Sequence, residues 1–342
     1  MRHGGPETQV MSRFDPNAAR SPLAGFSDLR AFRVFQHFGD TQLAQLAAHG
    51  RENAVPQGHV VYDEGSAGDD FFVVLAGAIE GHRNTTAGRQ PATRIRVGQL
   101  FGEVSYLDGR PRDLATLATE HSVVLTLSGP GVRQAVAADP GLGAALARTF
   151  WHSLAAKIRQ ANQFMGELLP PSHAADARPA ALPGSEVELR PGAKLDLFAE
   201  SGLSAAELRL LATTLRAESF PPGANIFLEG EPGDSLYIVA GGDVAISRRI
   251  PGRGEIVLAP LPRGGVFGEM ALIDDQLRSA DARSGPGGCT VLALSQRDLD
   301  EVLHRPSEAA AQFLGLVCRV LCHRLRAMIG QLAGRRAQPL EP

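Results

Sequence analysis

The sequence predicts a mostly β protein with flanking helices, built twice over, and three observations carry that prediction. The chain repeats itself: Pro56-Gln57-Gly58 aligns with Pro221-Pro222-Gly223, and Glu64-Gly65-Ser66-Ala67-Gly68-Asp69 aligns with Glu229-Gly230-Glu231-Pro232-Gly233-Asp234. Phe71-Phe72-Val73-Val74 then falls on Leu236-Tyr237-Ile238-Val239. Short β-like runs are broken about every 8–12 residues by glycine or proline, the spacing of an antiparallel sandwich or barrel. A long helical stretch closes each β-rich segment. A chain of 342 residues is long enough for two ordinary domains, and so long a period means duplicated domains rather than a solenoid.

Met1 to Ala24 is Gly/Pro/polar and lacks the apolar stretch of a secretory signal, so residues 1–25 read as a tail. The first copy occupies residues 26–168. It opens with a helical stretch carrying Leu43 and Leu46 and continues through strands at His59 to Tyr62 and Phe71 to Leu75. It ends in a helix from Leu142 to Leu168. Pro170 to Gly192 is rich in proline and alanine, which marks 169–193 as an extended linker. The second copy, 194–334, repeats the order: Leu208, Leu211 and Leu215, strands at Asn225 to Leu228 and Leu236 to Ala240, then a helix from Ser307 to Leu332. Ser307, following Pro306, suits an N-cap, and residues 335–342 read as a tail. Gly68, Gly77, Gly233 and Gly242 stand where strands must turn, positions that usually need φ > 0.

The closing helices share an apolar seam. Trp151, Leu154, Ile158, Ala161, Met165 and Leu168 alternate spacings of three and four, as do Leu314, Cys318, Leu321, Leu325, Met328 and Leu332. Such a seam covers either the helix's own barrel or a second helix, in another chain or in the other half of this one. A homodimer through the seams is the expectation. The basic residues of the last helix, Arg319, Arg324, Arg326, Arg335 and Arg336, read as a solvated face.

Composition narrows the classes. Hydrophobic content of 44% and charged content of 21% are ordinary for a globular protein, and a net charge of −3 argues against broad nucleic-acid binding. Three cysteines, Cys289, Cys318 and Cys322, make no disulfide framework and fit a reducing cytoplasm. No apolar run is long enough to span a membrane. The histidines join no carboxylate or nucleophile in a catalytic constellation, so no enzyme, catalytic residue or metal site is expected. Cys318-Arg319-Val320-Leu321-Cys322-His323 looks like a stretched haem-attachment signature, leaving a haem or redox sensor as an outlying reading.

The chemistry lies in one pattern present twice. The first copy reads Phe101-Gly102-Glu103-Val104-Ser105-Tyr106-Leu107 and then Arg112-Asp113. The second reads Phe267-Gly268-Glu269-Met270-Ala271-Leu272-Ile273 and then Arg278-Ser279-Ala280. Backbone amides and a planar guanidinium suit a phosphate, and an ionised carboxylate, acceptor-only, suits a sugar hydroxyl. Glycine lets the backbone come close. An anionic, ribose-bearing ligand therefore fits the pattern; the bland alternative is an ion pair between Glu269 and Arg278.

Both halves resemble cyclic nucleotide-binding domains, the family of the bacterial catabolite activator protein and of the regulatory subunits of cAMP-dependent protein kinase. The resemblance rests on the Phe-Gly-Glu cassettes, the Glu-Gly-x-x-Gly-Asp turns and the Pro-x-Gly entries, and extends over most of 35–165 and 195–333. It implies an eight-stranded β-roll (a jelly-roll-like double-stranded β-helix) with flanking helices in each half. It implies cAMP or cGMP as regulatory ligand and no cofactor. In the second copy it assigns Glu269 to the ribose and Arg278 to the phosphate, with Phe267, Gly268, Met270, Ala271, Ser279 and Ala280 around them. Leu277 stands where the family commonly has proline. The first copy, with Gly102, Glu103, Val104, Ser105, Arg112 and Asp113, is the weaker site. Asp113 adds a carboxylate beside the phosphate, at a cost of about 1–4 kcal/mol at 4 Å, and Leu114 replaces a small residue.

Family transcription factors carry a helix-turn-helix after the closing helix, whereas about ten residues follow Leu332, so no DNA binding is expected. The resulting expectation is a non-enzymatic cytoplasmic receptor that signals occupancy to an unidentified effector protein. The alternatives are a kinase regulatory subunit, although Ala19-Arg20-Ser21-Pro22 is a poor pseudosubstrate, and a ligand-independent scaffold with vestigial pockets.

Overall fold

The computed structural model describes residues 26–86, 88–168, 179–190, 192, 194, 214–250, 254–274, 276–304 and 308–337. The expected tail 1–25, residues 169–178 of the linker, Leu208, Leu211, Ser307 and residues 338–342 lie outside them. The chain divides into two compact units, residues 1–133 and 134–342.

In the first unit α1 (Asp40–Ala48) buries Leu43 and Leu46 from one face. Strands β1 (Gly50–Val55), β2 (Val60–Tyr62), β3 (Phe71–Ala76), β4 (Ala78–Thr85), β5 (Gly88–Arg96) and β6 (Leu100–Phe101) follow. Helix α2 (Glu103–Asp108) then precedes β7 (Ala115–Ala118) and β8 (Ser122–Leu127). The strands pair antiparallel in two four-stranded sheets, ordered β1-β8-β3-β6 and β2-β7-β4-β5. This is the eight-stranded roll, and Val55, Phe72, Val74, Ile79, Ile95, Phe101, Ala118 and Val124 form an apolar cluster inside it. Gly77 makes the β3–β4 turn at φ +79°, where a Cβ would stand 2.6 Å from His121 O.

The second unit repeats the plan with longer, bent strands. Helix α3 (Gly129–Ala138), which spans the boundary between residues 133 and 134, leads to α4 (Pro140–Glu167), then β9 (Ser185–Glu186), β10 (Arg216–Phe220) and β11 (Asn225–Phe227). Next come β12 (Ser235–Ile250), β13 (Gly254–Leu261), β14 (Val266–Phe267), α5 (Glu269–Asp274) and β15 (Asp281–Ser295). The sheet runs β13-β12-β15-β10-β9, with β11 also on β15 and β14 on β12, and every pairing is antiparallel. β12 and β15 each run through a bend that separates two strands in the first unit; the register of their pairing shifts at Gly241 and Gly242. Gly242 has φ +71°, and a Cβ there would lie 2.3 Å from Gly288 O. Helices α6 (Gln296–His304) and α7 (Glu308–Ala337) close the unit.

Helix α4 starts where Asp139 caps it, its carboxylate accepting from Gly141 N at 2.9 Å and Leu142 N at 3.3 Å, with Pro140 at the first turn. By contact this helix belongs to the second unit. Its seam residues Trp151, Leu154, Ile158, Ala161 and Met165 are buried, as are Leu314, Cys318, Leu321, Leu325, Met328 and Leu332 of α7. The two helices pack on each other: Cys318 Sγ donates to Ala147 O at 3.4 Å, and a Cβ at Gly143 would lie 3.8 Å from that of Ala311. Both contacts advance in the same sense, so α4 and α7 run parallel. The seams expected to join two copies of the chain are thus filled inside one copy. Helix α7 continues to Ala337, so residues 335–337 are helix rather than tail. Among the described residues no helix is long and apolar enough to cross a membrane.

Candidate functional site

The second unit holds an open cleft of about 290 Å³, part of it open to solvent. Phe267 to Ala271 and Arg278 to Ala280 all line it, joined by Phe227, Ile246 and Arg324. Gly268, at φ +76°, turns β14 into α5; a Cβ there would stand 2.7 Å from Arg278 Nη1 and 3.0 Å from Ser235 O. Only glycine fits both the conformation and the space.

Arg278 is held by a cradle. Its Nη1 donates to Gly268 O at 2.6 Å and its Nη2 to Ser235 O at 2.9 Å. The guanidinium carbon sits 4.2 Å above the centre of the Phe227 ring, and Phe227, Tyr237 and Phe267 pack against one another. The remaining donor, Nε, is buried without a hydrogen-bond partner. Gly233 serves the same cradle by absence: a Cβ there would lie 2.4 Å from Arg278 Cζ. Gly68, Gly77 and Gly242 take the positive φ expected of them, but Gly233 is needed for this close approach instead.

Glu269 is fully buried and faces Arg324 of α7, Oε1 to Nη1 3.4 Å, rather than Arg278. Burial pushes its carboxyl pKa up, against the pull of Arg324, Arg278 and Arg159. Its Oε2 and Arg324 Nε are buried without hydrogen-bond partners. Two guanidiniums and one carboxylate therefore line the cleft, a surplus of one positive charge. Such a site can take one anionic group at Arg278 and one hydroxyl donor at Glu269. Sequence reasoning missed Phe227, Ile246 and Arg324. The basic residues of the last helix read as a solvated face, yet Arg324 is only 7% exposed. Its place directly beside the seam residues Leu321, Leu325 and Met328 was the available signal, since residues flanking a seam are partly covered.

The first unit builds the same cradle. Gly102 has φ +81°, Arg112 Nη1 donates to Gly102 O at 2.8 Å and Nη2 to Asp70 O at 2.6 Å. Arg112 lies 4.4 Å above the Tyr62 ring, and Glu103, Val104 and Ser105 are buried. The walls differ. Ile246 and Ala280 of the second unit correspond to Gly81 and Leu114, so the bulk moves to the opposite wall. A Cβ at Gly81 would lie 3.0 Å from Leu114 Cδ1 and 2.6 Å from Thr93 Cγ2. Asp113 is half-buried, its carbonyl accepting from Arg83 Nη1 at 3.3 Å. Cys318 and Cys322 are both buried on α7. Among the described residues no group of three or more His, Cys, Asp or Glu is placed to hold a metal ion.

Two antiparallel rolls, each with a buried arginine cradled at a Gly-Glu turn, make a duplicated fold with a candidate ligand cleft in the second unit. The family model of the cyclic nucleotide-binding domain matches residues 52–139 and 217–305, more than half of the chain. The chain belongs to that family. It is 26% identical over 261 residues to the cAMP-dependent protein kinase regulatory subunit of Neurospora crassa, covering 73% of this chain and 56% of that protein. It is 34% identical over 136 residues to the CRP-like cAMP-activated global transcriptional regulator of Mycobacterium tuberculosis, covering 39% of this chain and 57% of that protein. The chain thus spans about half the length of the curated relatives it matches. Among solved structures it is similar to the regulatory domain of Toxoplasma gondii PKA with cAMP, at 20% identity and TM-score 0.30, over 81% of this chain and 89% of that one.

Proposed function

We propose that this chain is a non-enzymatic cyclic nucleotide receptor whose second unit binds cAMP or cGMP. The supporting observation is the cleft itself: Arg278 for the phosphodiester and Glu269 for the ribose hydroxyl, with a surplus of one positive charge for one negative ligand. Phe267, Gly268, Met270, Ala271, Ser279 and Ala280 frame the ligand. The first unit is the weaker site, or a structural one, with Gly102, Glu103, Val104, Ser105, Arg112 and Asp113 in the matching places.

Arg324 links occupancy to the closing helix. A ribose hydroxyl that engages Glu269 meets a carboxylate already held by α7, so ligand and helix position are coupled through one group. The shift extends only as far as the ligand's differential affinity for the two helix positions. An effector protein reads that change. The relatives' name, regulatory subunit of a cAMP-dependent protein kinase, makes a kinase the favoured effector class. A homodimer, if formed, uses a surface other than the seams. The three buried cysteines form no disulfide with one another, which suits a reducing cytoplasm.

The test is calorimetric titration of cAMP and of cGMP into the full chain, with Arg278→Ala as control. One tight site lost in the variant is the expected result. No heat and no thermal stabilisation, where saturation at about 100 times Kd adds ~2.7 kcal/mol, would leave a scaffold with vestigial pockets.

A further inference from the structure

Helix α4 follows the first roll in the chain, yet its polar groups reach both backbone segments that fix Arg278. We propose that α4 braces the second cleft, with Arg159 as a positioning residue that acts through the backbone of Arg278. The inference rests on the reading of that cleft as a nucleotide site.

One arm is direct. Arg159 Nη1 donates to Leu277 O at 3.1 Å, the carbonyl immediately before Arg278. Leu277 gives the turn no apolar anchor of its own, being 55% exposed. The second arm is a relay. Arg278 N donates to Glu231 O at 2.8 Å, and Arg278 O accepts from Gly230 N at 2.9 Å. That turn is tied to β12 by Glu229, which pairs with Arg248 Nε at 2.8 Å, and Arg248 Nη1 donates to Asn162 O on α4 at 3.4 Å. Helix α4 comes close to β12 at Gly166, where a Cβ would lie 2.7 Å from Ile250 Cδ1.

Arg159 and Asn162 are three positions apart and so share one face of α4. The seam with α7 gives that face a fixed footing. Arg159 also favours the charged form of Glu269. Both functional side chains of the cleft therefore feel a helix that lies outside the cassette. Arg278 depends on it through its own main chain, whereas its Nη1 and Nη2 end on Gly268 O and Ser235 O.

The experiment uses the full chain and cAMP as probe. Arg159→Ala weakens cAMP binding about fivefold, the scale of one ordinary hydrogen bond lost at an exposed site. Arg159→Lys, which keeps a charged donor group, recovers most of the loss. In the ligand-free protein, Arg159→Ala accelerates amide exchange at Arg278 and Gly230 while β10 and β15 keep their protection. Unchanged affinity with unchanged exchange at Arg278 overturns the brace. So does acceleration spread evenly over the unit, which marks general destabilisation. If the wild-type chain binds neither cAMP nor cGMP, the nucleotide reading fails, and the exchange comparison still decides the brace.

Discussion

In the first unit Arg112 lies over Tyr62, in the second Arg278 lies over Phe227, and each places its two terminal nitrogens on equivalent carbonyls. Around this shared cradle the walls have been exchanged. Gly81 faces Leu114 in one, whereas Ile246 and Ala280 line the other. Asp113 stands where the second unit has Ser279. The part held by backbone and aromatic rings is common to both copies, and the side chains of the walls have diverged. An arginine cradled in this way is held by carbonyls and rings of its own unit, without a ligand. Its presence alone therefore does not mark a working site; the walls decide.

The largest effect expected from breaking this comparison is at the arginines. Arg278→Ala lowers cAMP affinity by about a hundredfold or more, the loss of a charge-assisted contact of ~3 kcal/mol. Arg112→Ala leaves the main calorimetric transition in place. Next come the walls. Ala280→Leu sets a branched side chain against Ile246 and costs about tenfold in affinity, given 1–3 kcal/mol for overpacking. The reverse change, Asp113→Ser with Leu114→Ala, raises affinity at the first cleft about tenfold by removing the like charge. The same double variant melts earlier, since a buried leucine cut to alanine costs about 2–5 kcal/mol.

A smaller effect separates Gly233 from Gly68. Gly233→Ala drives a methyl into the Arg278 guanidinium and weakens binding several-fold, whereas Gly68→Ala meets Arg112 only at 3.5 Å and acts through its φ of +148°. Parallel titration and thermal melts of the two variants distinguish the mechanisms. The smallest effect is on pH. The raised pKa of Glu269 means that folding takes up a proton between the ordinary carboxylate range and the raised value. Its contribution to stability is fully present below the ordinary value and fades as pH rises through the raised one. Wild type therefore gains stability relative to Glu269→Gln as pH falls, by a modest shift in Tm.

Most of the architecture was legible because local rules and tertiary packing agree. Gly77 and Gly242 turn strands with positive φ, Leu43 and Leu46 share a helix face, and the cassette glycines stand where a Cβ would collide. The partner of Glu269 was not legible. Glu269 and Arg324 lie far apart in the chain and meet only because α7 packs over the cleft. The destination of the seams was equally hidden, since a heptad pattern specifies that a helix will be covered but not by which helix. Gly233 shows a third limit: its neighbour Arg278 is a tertiary contact, invisible to turn rules.

The parallel pairing of α4 and α7 within one polypeptide has a consequence for stoichiometry. Helices joined covalently meet at an effective concentration of roughly millimolar order, so their association is indifferent to expression level. A homodimer of one gene product must present two identical pockets. A tandem chain has no such constraint: one Arg-Ser-Ala cassette and one Arg-Asp-Leu cassette accompany every helix pair. Subunit exchange cannot average that asymmetry away.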